Sequence, residues 1–241
     1  MFERAIFSFS HELETGLVND FLGEEPGFFV EVGANDPKTD SQTWHLEQRG
    51  WSGILVEPQP DLAEKLRQQR NAKVYAVACS SPANAGRRMP LYCAGTVTSL
   101  DRDWAAAPRR RHRRALVEGT IEVPIRSLDQ ILIDAKAPSP IDFLSIDVEG
   151  HTSEVLEGLD LERWRPRLIL LEDHVITTHV HRSMLSRGYR WIRRTGLNGW
   201  YVPADSAPPL SLVGRLQFFR KYVLGVPLRR LRYRSRTATT A

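Results

Sequence analysis

The sequence predicts an α/β fold on a mainly parallel, doubly wound sheet, with helices on both faces and a C-terminal antiparallel strand pair. Three observations carry this. Short apolar runs alternate with helical stretches. The runs have lost the polar alternation of a surface strand, as strands covered on both faces do. Several of them close on an acid. At 241 residues and 41% hydrophobic content, the chain suits one large domain with appendages and a sizeable core.

The N-terminal segment, 1–26, reads as helical: Leu13, Leu17, Val18, Phe21 and Leu22 recur at helical spacing over 11–22, and Gly23 ends the run. The main domain, 27–203, opens with strands FFVEV at 28–32, GILVE at 53–57 and VYAVA at 74–78. Between them lie two helical stretches. SQTWHLEQRG has Asp40 or Ser41 as N-cap and Gly50 as a stop, and PDLAEKLRQQR starts at Pro60 or Asp61. From 82 to 118 the pattern breaks up, which predicts an irregular insertion or long loop. Periodicity resumes with TIEVPIR at 120–126, a helix at SLDQILI, a strand at IDFLSID (141–147), a helix from about 152, and a strand at RLILLED (167–173). A helix over 177–187 follows, then YRWIRR and GWYVP as strands joined through Thr195 to Asn198, where Asn198 and Gly199 supply turn chemistry. ADSAPPL at 204–210 marks off a basic amphipathic tail, 204–241.

The formal net charge of +4 is uneven. The last acid is Asp205, and eight cations follow it, so removing them from +4 leaves −4 for the rest. A basic, nucleic-acid-binding body is therefore not expected. RRRHRR at 109–114 reads as solvated surface, with capping of the site as the alternative. Cys79 and Cys93 are too few for a disulfide framework or zinc site and predict a reducing compartment. The N-terminus lacks the apolar core of a secretory signal, and no run reaches the roughly 18 apolar residues of a spanning helix. The expectation is a cytoplasmic protein. The tail places Leu212, Val213, Leu216, Phe219, Tyr222 and Val223 at near-helical spacing among basic residues. It is expected to pack on the protein's own body or a dimer interface, or to contact the inner face of a membrane peripherally.

Ligands of a doubly wound sheet gather beyond the carboxyl ends of its strands. Those ends carry Glu31, Glu57, Asp147, and Glu172 with Asp173. A charge closing an apolar strand needs a partner, and a row of four is more than solvated strand ends supply by chance. Glu57 follows Gly33 by 24 residues, near the spacing at which a carboxylate accepts from ribose hydroxyls. The turn after the first strand, GANDP, is poor for a pyrophosphate, because Pro37 removes a donor and Asp36 repels phosphate. A cationic, phosphate-free nucleoside fits better, and S-adenosylmethionine is the obvious candidate.

FFVEVGAND, WSGILVEP, IEVPIRSLDQIL and IDFLSIDVEGHTSEVLEG, in that order over roughly 27–175, resemble the FkbM family of S-adenosylmethionine-dependent methyltransferases. The resemblance implies a class I methyltransferase (Rossmann-like) fold and methyl transfer to oxygen, often on sugars, polysaccharides or polyketide-type products. Carried over, it puts Glu31, Gly33 and Asn35 on the methionine side of the cofactor, Glu57 on the ribose and the segment to Ala78 against adenine. Asp36, Pro58 and Asp147 complete the cofactor set. Many relatives have glycine where this chain has Asp36 and Pro37.

Methyl transfer needs an aligned acceptor oxygen and help in removing its proton. Asp147, Glu149 and His151 at one strand end and Glu172, Asp173 and His174 at the next are expected to be neighbours. LLEDHV resembles the magnesium-binding strand end of catechol-type O-methyltransferases, which implies Asp147, Asp173 and His174 as ligands of Mg2+ or Mn2+. Without a metal, His174 or His151 is the base, with Asp147 and Glu149 beside it. Arg182, Arg193, Arg194, Asn198 and Trp200 suit a sugar-containing acceptor; the plainer alternative is a hairpin whose Trp191, Trp200 and Tyr201 pack on the sheet. An NAD-type oxidoreductase and a non-catalytic module in a membrane-associated glycan-assembly complex are the competing classes. Oligomeric state is not legible.

Overall fold

Strands with no polar face must be covered on both sides, and this requirement orders the chain. The structure, a computed structural model, describes residues 11–95, 98–106, 117–173 and 178–228. RRRHRR at 109–114, His174 and the arginines from 229 onward lie outside the described residues. The described residues divide into two compact units, one of 11–169 and the other from 170 onward.

In the first unit, α1 (His11–Leu22) ends at Gly23, whose φ of 85° suits glycine. Next come β1 (Phe28–Val32), α2 (Trp44–Glu47), β2 (Ser52–Val56), α3 (Pro60–Gln69) and β3 (Lys73–Tyr75). They are followed by β4 (Ala78–Cys79), β5 (Arg88–Cys93), α4 (Arg102–Ala106), β6 (Gly119–Arg126), α5 (Leu128–Ala135), β7 (Phe143–Ile146), α6 (Thr152–Glu157), α7 (Leu161–Trp164) and the start of β8 (Leu168–Glu172). The main sheet runs β3-β2-β1-β7-β8 here. β1 is parallel to β2 from Phe28/Ser52 to Val32/Val56 and to β7 from Phe29/Phe143 to Val32/Ile146. Its faces are dry: Phe29, Leu46, Ile54, Leu66, Leu128, Ile131 and Phe143 are fully buried. Ser127 caps α5 in a reciprocal capping box with Gln130.

Three sequence expectations are corrected. VYAVA is not one strand. Its first half is in β3, and Ala78 belongs to a second, three-stranded sheet of order β4-β6-β5. The 82–118 stretch is not irregular throughout, since it supplies β5, antiparallel to β6 from Arg88/Pro124 to Cys93/Gly119, and α4. A half-exposed edge strand interrupted by Pro90 and a five-residue helix give no clear period. Finally, SQTWHLEQRG contains only the four-residue α2, with Thr43 at the N-cap rather than Asp40 or Ser41, because residues 41–43 are held on Glu31 instead.

In the second unit, α8 (His179–Ser186) precedes β9 (Tyr189–Thr195) and β10 (Asn198–Pro203), an antiparallel pair, in the order β8-β10-β9. The turn between them is Gly196 (φ 53°) and Leu197. α9 (Leu212–Phe218) continues into a wider, π-type stretch over Phe219–Gly225. α9 docks on β9 through Gln217, which accepts from the Arg194 N–H at 3.0 Å and donates to the Arg194 carbonyl at 3.0 Å. Gly214 permits the approach, since a Cβ there would lie 2.7 Å from the Ile192 carbonyl oxygen. His181, Trp191, Phe218 and Tyr222 form the aromatic core between these elements. No helix among the described residues is long and apolar enough to cross a membrane.

Candidate active site

The carboxyl ends of β1, β2 and β7 meet at Gly33. Its N–H donates to the Val56 carbonyl at 2.9 Å, and the Asp147 N–H donates to the Val32 carbonyl at 2.9 Å. A Cβ on Gly33 would sit 1.9 Å from the Asp147 carbonyl oxygen, and φ is 85°, so only glycine fits this crossing. A cavity opens above it, lined from β1 by Glu31, Gly33 and Asn35, from β2 by Glu57 and Pro58, from β4 by Ala78, and from the end of β7 by Ser145, Asp147, Glu149 and His151. Thus every residue of the predicted cofactor set lines one cavity except Asp36.

Two buried acids frame the cavity. Glu31 accepts from the Gln42 N–H at 2.8 Å and from the hydroxyls of Thr43 at 2.5 Å and Ser41 at 3.1 Å. Burial pushes its carboxyl up, against those hydrogen bonds and the nearby Arg70 cation. Arg70 is itself buried on Glu47 at 3.1 Å, and it also donates to the Pro37 carbonyl, Ser41 and Thr43. The 37–43 loop is therefore clamped from α3 while it walls the site. Glu57 accepts from the N–H groups of Asn35 and Gln59, each at 2.9 Å, and burial raises its carboxyl too. Asn35 takes φ 49°, which an asparagine tolerates.

Asp36 faces a different partner. Its carboxylate accepts from the Lys38 and Thr39 N–H groups and pairs with Lys65 of α3 at 2.6 Å, contacts that hold it well below the usual carboxylate range. Asp36 and Pro37 thus have structural roles, fastening the loop to α3.

Around β7, Asp147 is exposed at the cavity edge. Glu149 and Gly150 have positive φ, 48° and 90°. The bend is roofed by the segment before and within α4: Ser99 donates to the Glu149 carbonyl at 2.6 Å, the Trp104 indole donates to the Glu149 carboxylate at 2.9 Å, and Trp104 lies where a Gly150 side chain would be. His151 Nε2 is 2.9 Å from the Ser80 hydroxyl, which also accepts from Asn84 at 3.0 Å. On the other side of the ring, Nδ1 lies 3.7 Å from the Glu154 carboxylate. Burial lowers the His151 pKa and favours the neutral ring. Sequence reasoning missed Ser80, Asn84, Ser99 and Trp104, since short polar residues and a lone tryptophan carry no spacing signal.

The remaining candidates belong to the second unit. Asp173 accepts from the Tyr222 hydroxyl at 3.0 Å and lies 3.9 Å from the Arg194 guanidinium, which also donates to the Asp173 and Gly196 carbonyls. Arg194 is 3% exposed and packs within the hairpin, and Trp191, Trp200 and Tyr201 are buried, so the packing alternative describes them. Arg193 lies over the Trp200 ring at 5.4 Å.

Electrostatically, the cavity is one-sided. Five carboxylates, those of Glu31, Asp40, Glu57, Asp147 and Glu149, line it, and among the described residues no lysine or arginine does. Such a wall attracts a cation and repels a diphosphate. The residues therefore fit a cationic nucleoside such as S-adenosylmethionine better than a dinucleotide.

No curated protein matches the chain. Among solved structures it is similar to methyltransferase FkbM from Methylobacillus flagellatus KT, with 12% identity, 73% of this chain and 43% of that one covered, and a TM-score of 0.46. It is also similar to precorrin-6y C5,15-methyltransferase from Geobacter metallireducens GS-15, with 12% identity, 81% and 92% covered, and a TM-score of 0.40. This chain thus spans less than half the length of the Methylobacillus protein. The sequence model of the methyltransferase FkbM domain matches residues 31–191, from the acid closing β1 to β9 and so across the whole cavity. The chain belongs to the FkbM family of methyltransferases, which carry out S-adenosylmethionine-dependent methylation.

Proposed function

We propose that the chain methylates a hydroxyl oxygen, on a sugar of a polysaccharide, glycolipid or related natural product, at the cytoplasmic side. The observation that carries this reading is the cavity at the ends of β1, β2 and β7, whose charged lining is acidic. Bound S-adenosylmethionine supplies an electrophilic methyl carbon on a sulfonium. Glu57 would accept from its ribose, and the 37–43 loop, clamped through Pro37, would with Gly33 and Asn35 keep water from the methionine side. Asp147, at the cavity edge, takes the proton of the acceptor hydroxyl, while Glu149 is oriented by Trp104 and His151 by Ser80.

A metal-free route is favoured by the Asp173 carboxylate being engaged by Tyr222 and Arg194. The Mg2+ or Mn2+ route through Asp147, Asp173 and His174 is separated from it by chelation: activity that collapses with chelator and returns with Mg2+ would establish the metal route. The defining experiment uses 13C-methyl S-adenosylmethionine with hydroxyl-bearing glycans and reads the product by NMR. An O-methyl resonance is expected, and label found on nitrogen or carbon would sink the assignment to oxygen. Asp147→Asn should lower kcat by about 10²- to 10⁴-fold with cofactor affinity changed far less.

A further inference from the structure

We infer that the outer face of the C-terminal helix seats the protein on an anionic lipid surface, a role independent of the chemistry in the cavity. The region 212–228 is apolar on two sides. Its inner side is satisfied: Gly214, Gln217, Tyr222 and Val226 are buried within the second unit, and Phe218 and Tyr222 join the aromatic core. The outer side carries Leu212 at 78% exposed, Leu216 at 70%, Leu228 at 61%, Phe219 at 52% and Leu224 at 48%. These large side chains are not needed to hold the helix on β9, which Gln217 and Gly214 do. Leu212, Leu216 and Phe219 fall at i, i+4 and i+7, on one face of the helix, and large exposed apolar side chains grouped in this way mark a binding face.

Charge decides the occupant. From residue 206 to 241 every ionisable side chain of fixed charge is basic, eight cations with no acid. A second copy of the chain carries the same acid-free run of eight cations, and like charges disfavour its pairing with itself. An anionic leaflet supplies both what the leucines need, an acyl boundary, and what the cations need, headgroup charge. A helix lying in the headgroup plane inserts its apolar face without crossing the bilayer, in keeping with the absence of a spanning helix among the described residues.

The test is flotation of the full chain with vesicles of phosphatidylcholine alone and of phosphatidylcholine with phosphatidylserine. Binding to the serine-containing vesicles is expected to be at least about tenfold tighter, and to weaken with salt. The triple variant Leu216→Ser, Phe219→Ser, Leu224→Ser should lose about tenfold or more on those vesicles while keeping its melting temperature and S-adenosylmethionine affinity. The inference is overturned by equal binding to both vesicles, by no binding to either, or by a triple variant that binds like the parent. It is also overturned by a dimer in sedimentation that the triple variant splits into monomers, since the outer face would then belong to a second copy.

Discussion

At Gly33 the chain has no room for one methyl group. A Cβ there meets a backbone carbonyl rather than a movable side chain, and the residue sits at φ 85°. Gly33→Ala is expected to destabilise by about 3 kcal/mol or more, read as a lower denaturant midpoint. An unchanged midpoint would mean that the β1 and β7 ends part easily. His45 gives a pH signature. Burial first, then the cations His11, Arg49 and Arg70, lower its pKa from 6.5 to about 4. A depressed folded-state pKa means that stability is present above pH 6.5 and is lost as pH falls toward about 4, by roughly 1–2 kcal/mol for a half-buried ring. Glu31 and Glu57, whose carboxyls are raised, act in the opposite direction, so the comparison is made between parent and His45→Gln at each pH. The parent should lose more stability than the variant between pH 7 and pH 4.5. At this scale the sequence revealed Glu31, Glu57 and Asp147, because an acid closing an apolar run is visible locally. It could not reveal that Asp36 pairs with Lys65, 29 residues away, or that Ser80 orients His151, 71 residues away.

Among the elements, α3 does more than cover the sheet. Arg70 at its C-cap holds Glu47 of α2 and the loop that walls the cavity, with both charged side chains almost wholly removed from solvent. Arg70→Met leaves Glu47 buried without its cation and should cost about 3–5 kcal/mol. Because the same arginine fixes the Pro37 carbonyl, Ser41 and Thr43, S-adenosylmethionine affinity should fall as well, measurable by calorimetry on the folded fraction. Ser127→Ala removes only the α5 cap and is expected to cost about 1 kcal/mol, with activity intact. Helices with a capping signal and a full apolar stripe, such as α5, were legible in the sequence. The four-residue α2 was not, because the serine and threonine that look like helix starters bond instead to Glu31, whose position only the assembled sheet defines.

For the whole molecule, ligand linkage separates the functional classes. At a hundredfold excess over Kd, S-adenosylmethionine should stabilise the folded chain by about 2.7 kcal/mol, seen as a raised melting temperature. NAD at the same concentration should produce no shift, since its pyrophosphate meets a wall of carboxylates. A shift with NAD and none with S-adenosylmethionine would return the site to the oxidoreductase class. The sequence by itself determined the doubly wound class, the parallel order of its first strands and the acids at their ends. These follow from periodicity and end chemistry, which are encoded within a few neighbouring residues. Only the tertiary structure decided which sheet each short strand joins, which acids face the cavity and which fasten loops, and that the tail is apolar on two sides. Those outcomes depend on partners tens of residues apart, brought together when the core closes, and no local pattern records them.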